Sequence, residues 1–319
     1  MQIQGPLVID ISLYDHHLNT QELIDGGVIS VIVGLYKQYK NGVVGLNDNC
    51  RRLCDQVKAS SLILQTYYYY YPENDPVKEA DWYVDTMFNN AYPVAFAWLD
   101  AESHLAEMAP KLRSEKFRMF AARLASRFPK AGVYTSKSFI EEWAPEMDLW
   151  VGKYPTWVAH YGRQSKKKVM IEWPDLKQNW LPDYEIRVPK GSTKVVGHQF
   201  TGDKFMLPGV YNQYASVPLW PNKGRMPLDV SVFTPEFIQS LGGEVVPPPP
   251  PPPPPVVIDY KVAVNAINIR SAPVSTTNTW VRFAYLGEVL HVVGHLTNGY
   301  VQLTDGNWAY QQYPTIVTL

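Results

Sequence analysis

Nine consecutive prolines, Pro247–Pro255, constrain this chain more than any other feature. A proline run has a fixed φ and no amide donor, so it joins neither helix nor sheet and adopts an extended polyproline II rod. At roughly 3.1 Å per residue the rod spans about 28 Å and acts as a semi-rigid spacer. It separates residues 1–243 from residues 258–319, with 244–257 as the linker. Both flanks have folded character, which favours a strut between two domains over a proline-rich ligand for a signalling SH3 or WW domain.

Composition narrows the function classes. The chain has 46% hydrophobic and 18% charged residues, a packed globular balance. Its 29 Lys and Arg against 30 Asp and Glu leave a net charge of −1. That balance gives no global field to attract nucleic acid or an anionic membrane. No apolar run reaches the roughly 20 residues of a membrane-spanning helix. Met1–Pro6 shows no basic start and leads straight into Leu7-Val-Ile-Asp-Ile-Ser, read as a first strand, so synthesis in a cytoplasm without a secretory signal is expected. Cys50 and Cys54, four apart on a helical stretch, are expected as reduced thiols. Adjacent His16 and His17 point oppositely on a strand and lack a third ligand, so no metal or other cofactor is expected.

Residues 1–243 alternate short apolar runs with helical stretches. The runs are Val28–Val33, Ser61–Tyr67, Val94–Asp100 and Gly132–Thr135; the helix candidates are Asn49–Ala59, Asp75–Phe88 and Ser114–Phe128. Asp75 before Pro76 reads as an N-cap with proline at the first helical position, and Glu79 gives a box-like spacing. Such alternation over about 240 residues predicts an α/β fold, an irregular β/α barrel. The tail, with turn signals at Thr297-Asn-Gly and Thr304-Asp-Gly-Asn, predicts a small all-β barrel.

Chemistry concentrates in Pro93-Val-Ala-Phe-Ala-Trp-Leu-Asp-Ala-Glu102. On a strand, alternate side chains share a face, so Phe96, Trp98, Asp100 and Glu102 point one way and Ala95, Ala97, Leu99 and Ala101 the other. The C-terminal ends of parallel barrel strands are where active sites are built. Two neighbouring carboxylates meet the needs of glycoside hydrolysis: one gives a proton to the leaving oxygen, the other supports a cationic transition state. Like-charge repulsion and an aromatic wall are expected to push their pKa values apart. A strand end entering a solvated loop is the bland alternative. Asp10 in the first strand and Asp229 in Leu228-Asp-Val-Ser-Val-Phe are acids inside apolar runs, which is costly without a partner or purpose. A barrel brings its first and last strands together, so both can meet the pair on the middle strand. The i, i+2 spacing of about 7 Å does not decide between retaining and inverting geometry.

The ordered set Val8-Ile-Asp-Ile-Ser, Tyr67–Tyr71 leading to Asn74-Asp-Pro, Leu99-Asp-Ala-Glu, Val133-Tyr-Thr-Ser, Leu149-Trp-Val-Gly-Lys-Tyr, His198-Gln-Phe and Leu228-Asp-Val-Ser-Val-Phe resembles glycoside hydrolase family 25. These are the Chalaropsis-type lysozymes, N-acetylmuramidases common among phage endolysins. The resemblance covers nearly all of residues 1–240 and implies Glu102 as general acid. Asp100 would assist, as nucleophile or by orienting a 2-acetamido group. Asp10 and Asp229 would line the pocket, and Tyr69, Trp98, Tyr134, Trp150 and Gln199 would contact sugar. It implies cleavage of the β-1,4 bond between N-acetylmuramic acid and N-acetylglucosamine, with retention.

Three features depart from the family pattern. Members usually carry an acid after the second strand, but Val33-Gly-Leu-Tyr-Lys-Gln-Tyr-Lys has none. The usual Trp-Gln is His198-Gln199, and residues 157–194 form an enlarged loop region with the basic run Arg163–Lys168. In the tail, Ala266-Ile-Asn-Ile-Arg-Ser-Ala-Pro resembles the opening of bacterial SH3-like domains, which implies anchoring to peptidoglycan. The expectation is a phage endolysin: a monomer made in the host cytoplasm that acts on the bacterial wall after release. The alternatives are a non-catalytic wall-binding protein with a decayed barrel site and a hydrolase of another N-acetylated glycan such as chitin.

Overall fold

Period-two burial on both faces of each strand organises residues 1–242. A computed structural model describes residues 1–40, 43–104, 107–162, 168–202, 204–212, 224–242, 258–273, 279–297, 300–310 and 316–318. The proline run and residues 163–167 of the basic run lie outside them. The chain divides into two compact units, Met1–Pro247 and Pro248–Leu319.

In the first unit eight strands close a barrel: β1 Leu7–Ile11, β2 Val28–Gly34, β3 Ile63–Tyr69, β4 Phe96–Asp100, β5 Ala131–Ser136, β6 Thr156–Ala159, β7 Val195–Gln199 and β8 Asp229–Phe233. Neighbours follow chain order, and β1 through β7 pair in parallel. The last strand, β8, runs antiparallel to both β7 and β1. Its first residue, not its last, therefore lies at the C-terminal ends of the others, and Asp229 pairs in register with Asp10.

Inside the barrel, Val8, Ile32, Phe96, Trp98, Tyr134, Trp157 and Phe233 form one apolar cluster. Ile9, Val31, Val33, Ala97, Leu99, Val133 and Val158 face the outer layer. Because both faces are buried, the strands read as continuous apolar runs. The division of Phe96 and Trp98 from Ala97, Leu99 and Ala101 is the one expected from the sequence, but Ala95, which precedes the strand and so escapes its alternation, packs with Phe96 and Trp98. Interior polar groups are paired: Trp98 Nε1 donates to Gln65 Oε1 at 2.8 Å, Gln65 Nε2 donates to Ser30 Oγ at 2.9 Å, and Trp157 Nε1 donates to Ser231 Oγ at 3.0 Å. Phe237, from the helix Pro235–Leu241 that follows β8, closes the floor against Phe96 at 5.0 Å between ring centroids.

The outer layer includes α1 Thr20–Asp25, α2 Asp48–Lys58, α3 Pro76–Asn89, α4 Pro110–Arg127 and α5 Lys137–Trp143. Asp75 caps α3 by accepting from the Val77 and Lys78 amides. Glu79 does not complete a capping box: it sits one residue past the required position and turns inward to Lys37 Nζ and the Tyr68 hydroxyl. Helix α4 begins four residues before the expected Ser114, at Pro110, where proline fits the first turn. Cys50 and Cys54 are free and buried on the apolar face of α2. Burial pushes the Cys50 thiol up to about 11 and Cys54 higher still.

Much of the enlarged region 157–194 is ordered structure. Val169–Met170 pairs with the strand Phe205–Tyr211 in a side sheet that also takes in Arg225–Pro227 and His17–Leu18. Trp173 anchors it, donating from Nε1 to the Pro208 carbonyl at 3.1 Å. The second unit is a seven-stranded antiparallel sheet over a core of Val262, Ile267, Ile269, Leu290, Val292, Val301 and Leu303. Its Thr304-Asp-Gly-Asn turn needs glycine, because Gly306 takes φ +83°.

Trp98 is corrected as a sugar contact: it is 0% exposed, and its ring lies 4.6 Å from Phe96 and 5.7 Å from Trp157. Trp98→Ala should destabilise the first unit by about 3–5 kcal/mol, the range for truncating a buried aromatic. Urea denaturation followed by far-UV circular dichroism measures it, and a loss below about 1 kcal/mol would mean the barrel interior collapses around the void.

Candidate active site

The ends of β4, β1 and β7 and the start of β8 converge on one mouth. β4 ends at Asp100, and the chain continues through buried Ala101 to Glu102, so both carboxylates leave the sheet on the same side. Register places Asp100 between Tyr69 on β3 and Tyr134 on β5. Asp100 is 7% exposed, and its Oδ1 is buried with no hydrogen-bond partner among the described residues. Glu102 is half-buried and so reaches the solvent side of the mouth.

Burial holds the Asp100 carboxyl well above the usual range, reinforced by Glu102 and Asp10. Glu102 is pushed up to about 7, again by burial, with the Tyr134 hydroxyl opposing. Asp10 is raised by burial and by Asp229, while its hydrogen bond from Gln199 opposes. Both carboxyls of the Asp100–Glu102 pair are thus raised, in each case first by burial. Loss of water around both groups outweighs their repulsion, and the acids share protons as a cluster.

Gln199, the last residue of β7, ties this cluster together. Its Nε2 donates to Asp10 Oδ1 at 3.0 Å and Oδ2 at 2.9 Å. Its Oε1 accepts from the Tyr134 hydroxyl at 2.7 Å and from the Tyr161 hydroxyl. With two hydroxyls on the oxygen, the amide nitrogen must face Asp10. Tyr161 fits because residue 202 is glycine: a Cβ there would lie 3.0 Å from the tyrosine Cζ.

Where an acid is missing after the second strand, Tyr36 stands instead. Its hydroxyl shares a hydrogen bond with the Tyr67 hydroxyl at 3.0 Å, and the rings meet edge to face at 6.1 Å. Tyr67 lines a cavity of about 290 Å³ beside Asp10 and Asp229, with Tyr14, Asp15 and Lys168. Asp15 is held in its turn by the Ser12 amide, at 2.8 Å. Lys168 is the member of the basic run whose place is described.

The structure thus brings together Asp10, Asp100, Glu102, Asp229, Tyr69, Tyr134 and Gln199. Two aromatic candidates lie elsewhere. Trp98 is in the barrel interior, and Trp150 is 5% exposed in the outer layer against Tyr154, so neither has a ring face open to a sugar. His198, in place of tryptophan, is fully buried; its Nε2 pairs with the His160 carbonyl at 2.8 Å, and burial pushes its pKa down to about 4. Tyr36, Tyr67 and Tyr161 escaped the sequence reading. Tyr67 had a signal, since it shares a strand face with Tyr69. Tyr36 and Tyr161 lie beyond strand ends, where periodicity is silent. His16 and His17 contact Asn49 and Gln56 separately. Among the described residues no three His, Cys, Asp or Glu side chains form a metal-binding group.

Removing the amide that faces Asp10 should raise the Asp10 pKa. Gln199→Ala is expected to lift it by about one unit, the worth of one or two hydrogen bonds to a charged group. Tyr161→Phe should lift it less, because Tyr134 still orients the amide. Carbon-13 NMR titration of the aspartate carboxyls reads both, and an unmoved Asp10 in Gln199→Ala would refute the coupling.

Known proteins share this architecture. A bacterial lysozyme from Streptomyces coelicolor superposes with a TM-score of 0.53 at 15% identity, covering 75% of this chain and 97% of its own. A muramidase from Trichobolus zukalii gives 0.51 at 15% identity over 74% and 98%. A family GH25 lysozyme from Aspergillus fumigatus gives 0.51 at 13% identity over 76% and 100%. At these identities the likeness is one of fold. A search of curated protein sequences found no match. The model of glycosyl hydrolases family 25 matches residues 9–210, from the β1 strand that carries Asp10 through the β4 pair to Gln199, and the chain belongs to that family of glycoside hydrolases.

Proposed function

We propose that this chain is a peptidoglycan muramidase that cleaves the β-1,4 bond between N-acetylmuramic acid and N-acetylglucosamine. The observation that carries this reading is Glu102, half-buried at the barrel mouth beside buried Asp100, with its pKa pushed up to about 7. At slightly acidic pH it holds a proton and can pass it to the glycosidic oxygen as the C1–O bond breaks. Positive charge then develops on the sugar. Burial raises the Asp100 pKa, and that developing charge favours its ionised form, its proton passing to solvent, so that it serves as nucleophile or as the group orienting the 2-acetamido oxygen for internal attack. Water attacks C1 in the second step and returns its proton to Glu102, which gives net retention. Asp229 and the Gln199-bound Asp10 hold the neighbouring wall, while Tyr69 and Tyr134 contact sugar.

The second unit is read as an SH3-like wall anchor. Its edge strand Trp280–Tyr285 exposes Trp280, Phe283 and Tyr285 in a row, with ring centroids 5.5 and 6.2 Å apart. Apolar rings in solvent mark interaction surfaces and suit stacking on wall sugars. A proline strut between hydrolase and anchor fits a phage endolysin, monomeric, acting on the wall after release from the host cytoplasm. No helix of the described residues is long and apolar enough to cross a membrane.

Digestion of purified peptidoglycan, then borohydride reduction and mass spectrometry, tests the bond assignment. Reduced N-acetylmuramic acid at the new ends is the expected product. Reduced N-acetylglucosamine would move the bond, and no new ends from several wall types would favour the non-catalytic reading. Glu102→Gln should lower lysis by about 10²–10⁴-fold, the usual share of a general acid, with an unchanged circular dichroism spectrum. Wild-type kcat should fall as pH rises through about 7, where Glu102 loses its proton. A chain ended before Pro247 should still cleave soluble fragments but sediment less with whole walls; equal sedimentation would remove the anchor role.

A further inference from the structure

A second cavity, of about 330 Å³, opens on the same rim and is lined by Lys137, Ser138, Glu141, Ala159, His160 and Arg187. Ala159 ends β6 and pairs in register with Gln199 on one side and Ser136 on the other. The His160 amide donates to the Gln199 carbonyl at 3.0 Å. The cavity therefore lies immediately beside the Gln199 hub, on the β5–β6 side of the mouth, whereas the first cavity lies on the β1–β8 side.

Its net charge is positive. Glu141 is the single acid among the lining residues and is matched by Lys137 at 3.6 Å. Arg187 is exposed and makes no ion pair among the described residues. The Arg187 backbone amide donates to His160 Nδ1 at 3.2 Å, so that ring nitrogen accepts and the imidazole proton sits on Nε2, a further donor. Burial and the neighbouring Arg187 hold the His160 pKa down, so the histidine stays neutral and the net positive charge is that of the guanidinium. The first cavity, by contrast, carries Asp10, Asp15 and Asp229 against Lys168.

We infer that this cavity binds a carboxylate of the substrate, with Arg187 as the specificity-determining residue and Lys137, Ser138 and His160 as supporting donors. The inference rests on the muramidase reading and deepens it. A guanidinium matches a carboxylate with two parallel hydrogen bonds, and among the described residues no acid pairs with Arg187. Peptidoglycan carries such groups beside the scissile bond, as the lactyl carboxylate of N-acetylmuramic acid or a carboxylate of its stem peptide. Chitin carries none. The cavity thus discriminates between two glycans that present the same N-acetyl groups and the same bond.

Isothermal titration of the full chain tests this, in a Glu102→Gln background to stop turnover. The ligands are a peptide-bearing muramyl tetrasaccharide, the same tetrasaccharide stripped of peptide so that its lactyl carboxylates are free, and the neutral tetramer of N-acetylglucosamine. Arg187→Ala removes the guanidinium but keeps the amide that holds His160, so the loop retains its support. It should weaken the peptide-bearing ligand about tenfold while the neutral tetramer is unchanged, and Arg187→Lys should recover part of the loss. Loss on the peptide-bearing ligand alone assigns the stem-peptide carboxylate, loss on the stripped ligand alone assigns the lactyl carboxylate, and loss on both assigns a cavity that takes either. No loss on either anionic ligand, equal loss on all three, or no binding by the parent overturns the inference. Failure of the muramidase reading shows separately, as wild-type chain that releases no reducing ends from peptidoglycan.

Discussion

The reversed closing strand is the constraint on which the site depends. Seven parallel strands carry their C-terminal ends to one rim, and an eighth in the same sense would bring Phe233 there. Because β8 runs against both neighbours, it delivers Asp229 next to Asp10 and places Phe233 at the floor, where it stacks on Phe237 at 5.5 Å. The same reversal pairs Gln199 with Ser231, two residues along β8 from Asp229. One choice of strand direction thus separates an apolar floor from an acidic mouth.

That mouth works against folding stability. Carboxyl groups withdrawn from water favour their protonated forms, and Asp100 Oδ1 has no partner to compensate. Folding supplies partial relief through Gln199, whose orientation is fixed by Tyr134 and Tyr161 and whose amide can only donate toward Asp10. The Tyr36–Tyr67 hydroxyl pair acts in the same direction. A hydroxyl bonded to Tyr67 adds no negative charge to the cluster, so the pKa of Glu102 is governed by its burial and not by one more carboxylate.

Strand residues were legible in the sequence because the barrel imposes period two on both of its faces. The sorting of Phe96 and Trp98 from Ala97 and Leu99 follows from that rule alone, as does the shared exit of Asp100 and Glu102. The rule assigns a face but no height along the barrel. Trp98 lies on the correct face two residues too deep, among Phe96 and Phe233, and its ring is sealed from the mouth. Trp150 had no strand to place it, only a motif, and packs in the outer layer. Tyr36, Tyr161 and Arg187 sit on loops, where position depends on tertiary contacts such as the Tyr161 ring over Gly202. Glu79 shows the same limit: its spacing suggests a cap, but tertiary pairing with Lys37 and Tyr68 wins.

Charge differs between the two sides of the rim. On the β1–β8 side three aspartates face one exposed lysine, and burial raises the Asp10 pKa. On the β5–β6 side a permanent guanidinium stands beside a neutral histidine. A neutral polymer crossing the mouth would meet no directional field. On the muramidase reading, a glycan with an acidic substituent on every second sugar is drawn toward the guanidinium side, which would fix the sugar presented to Glu102. The same asymmetry would then set binding register and bond choice together, from side chains outside the proposed reacting pair.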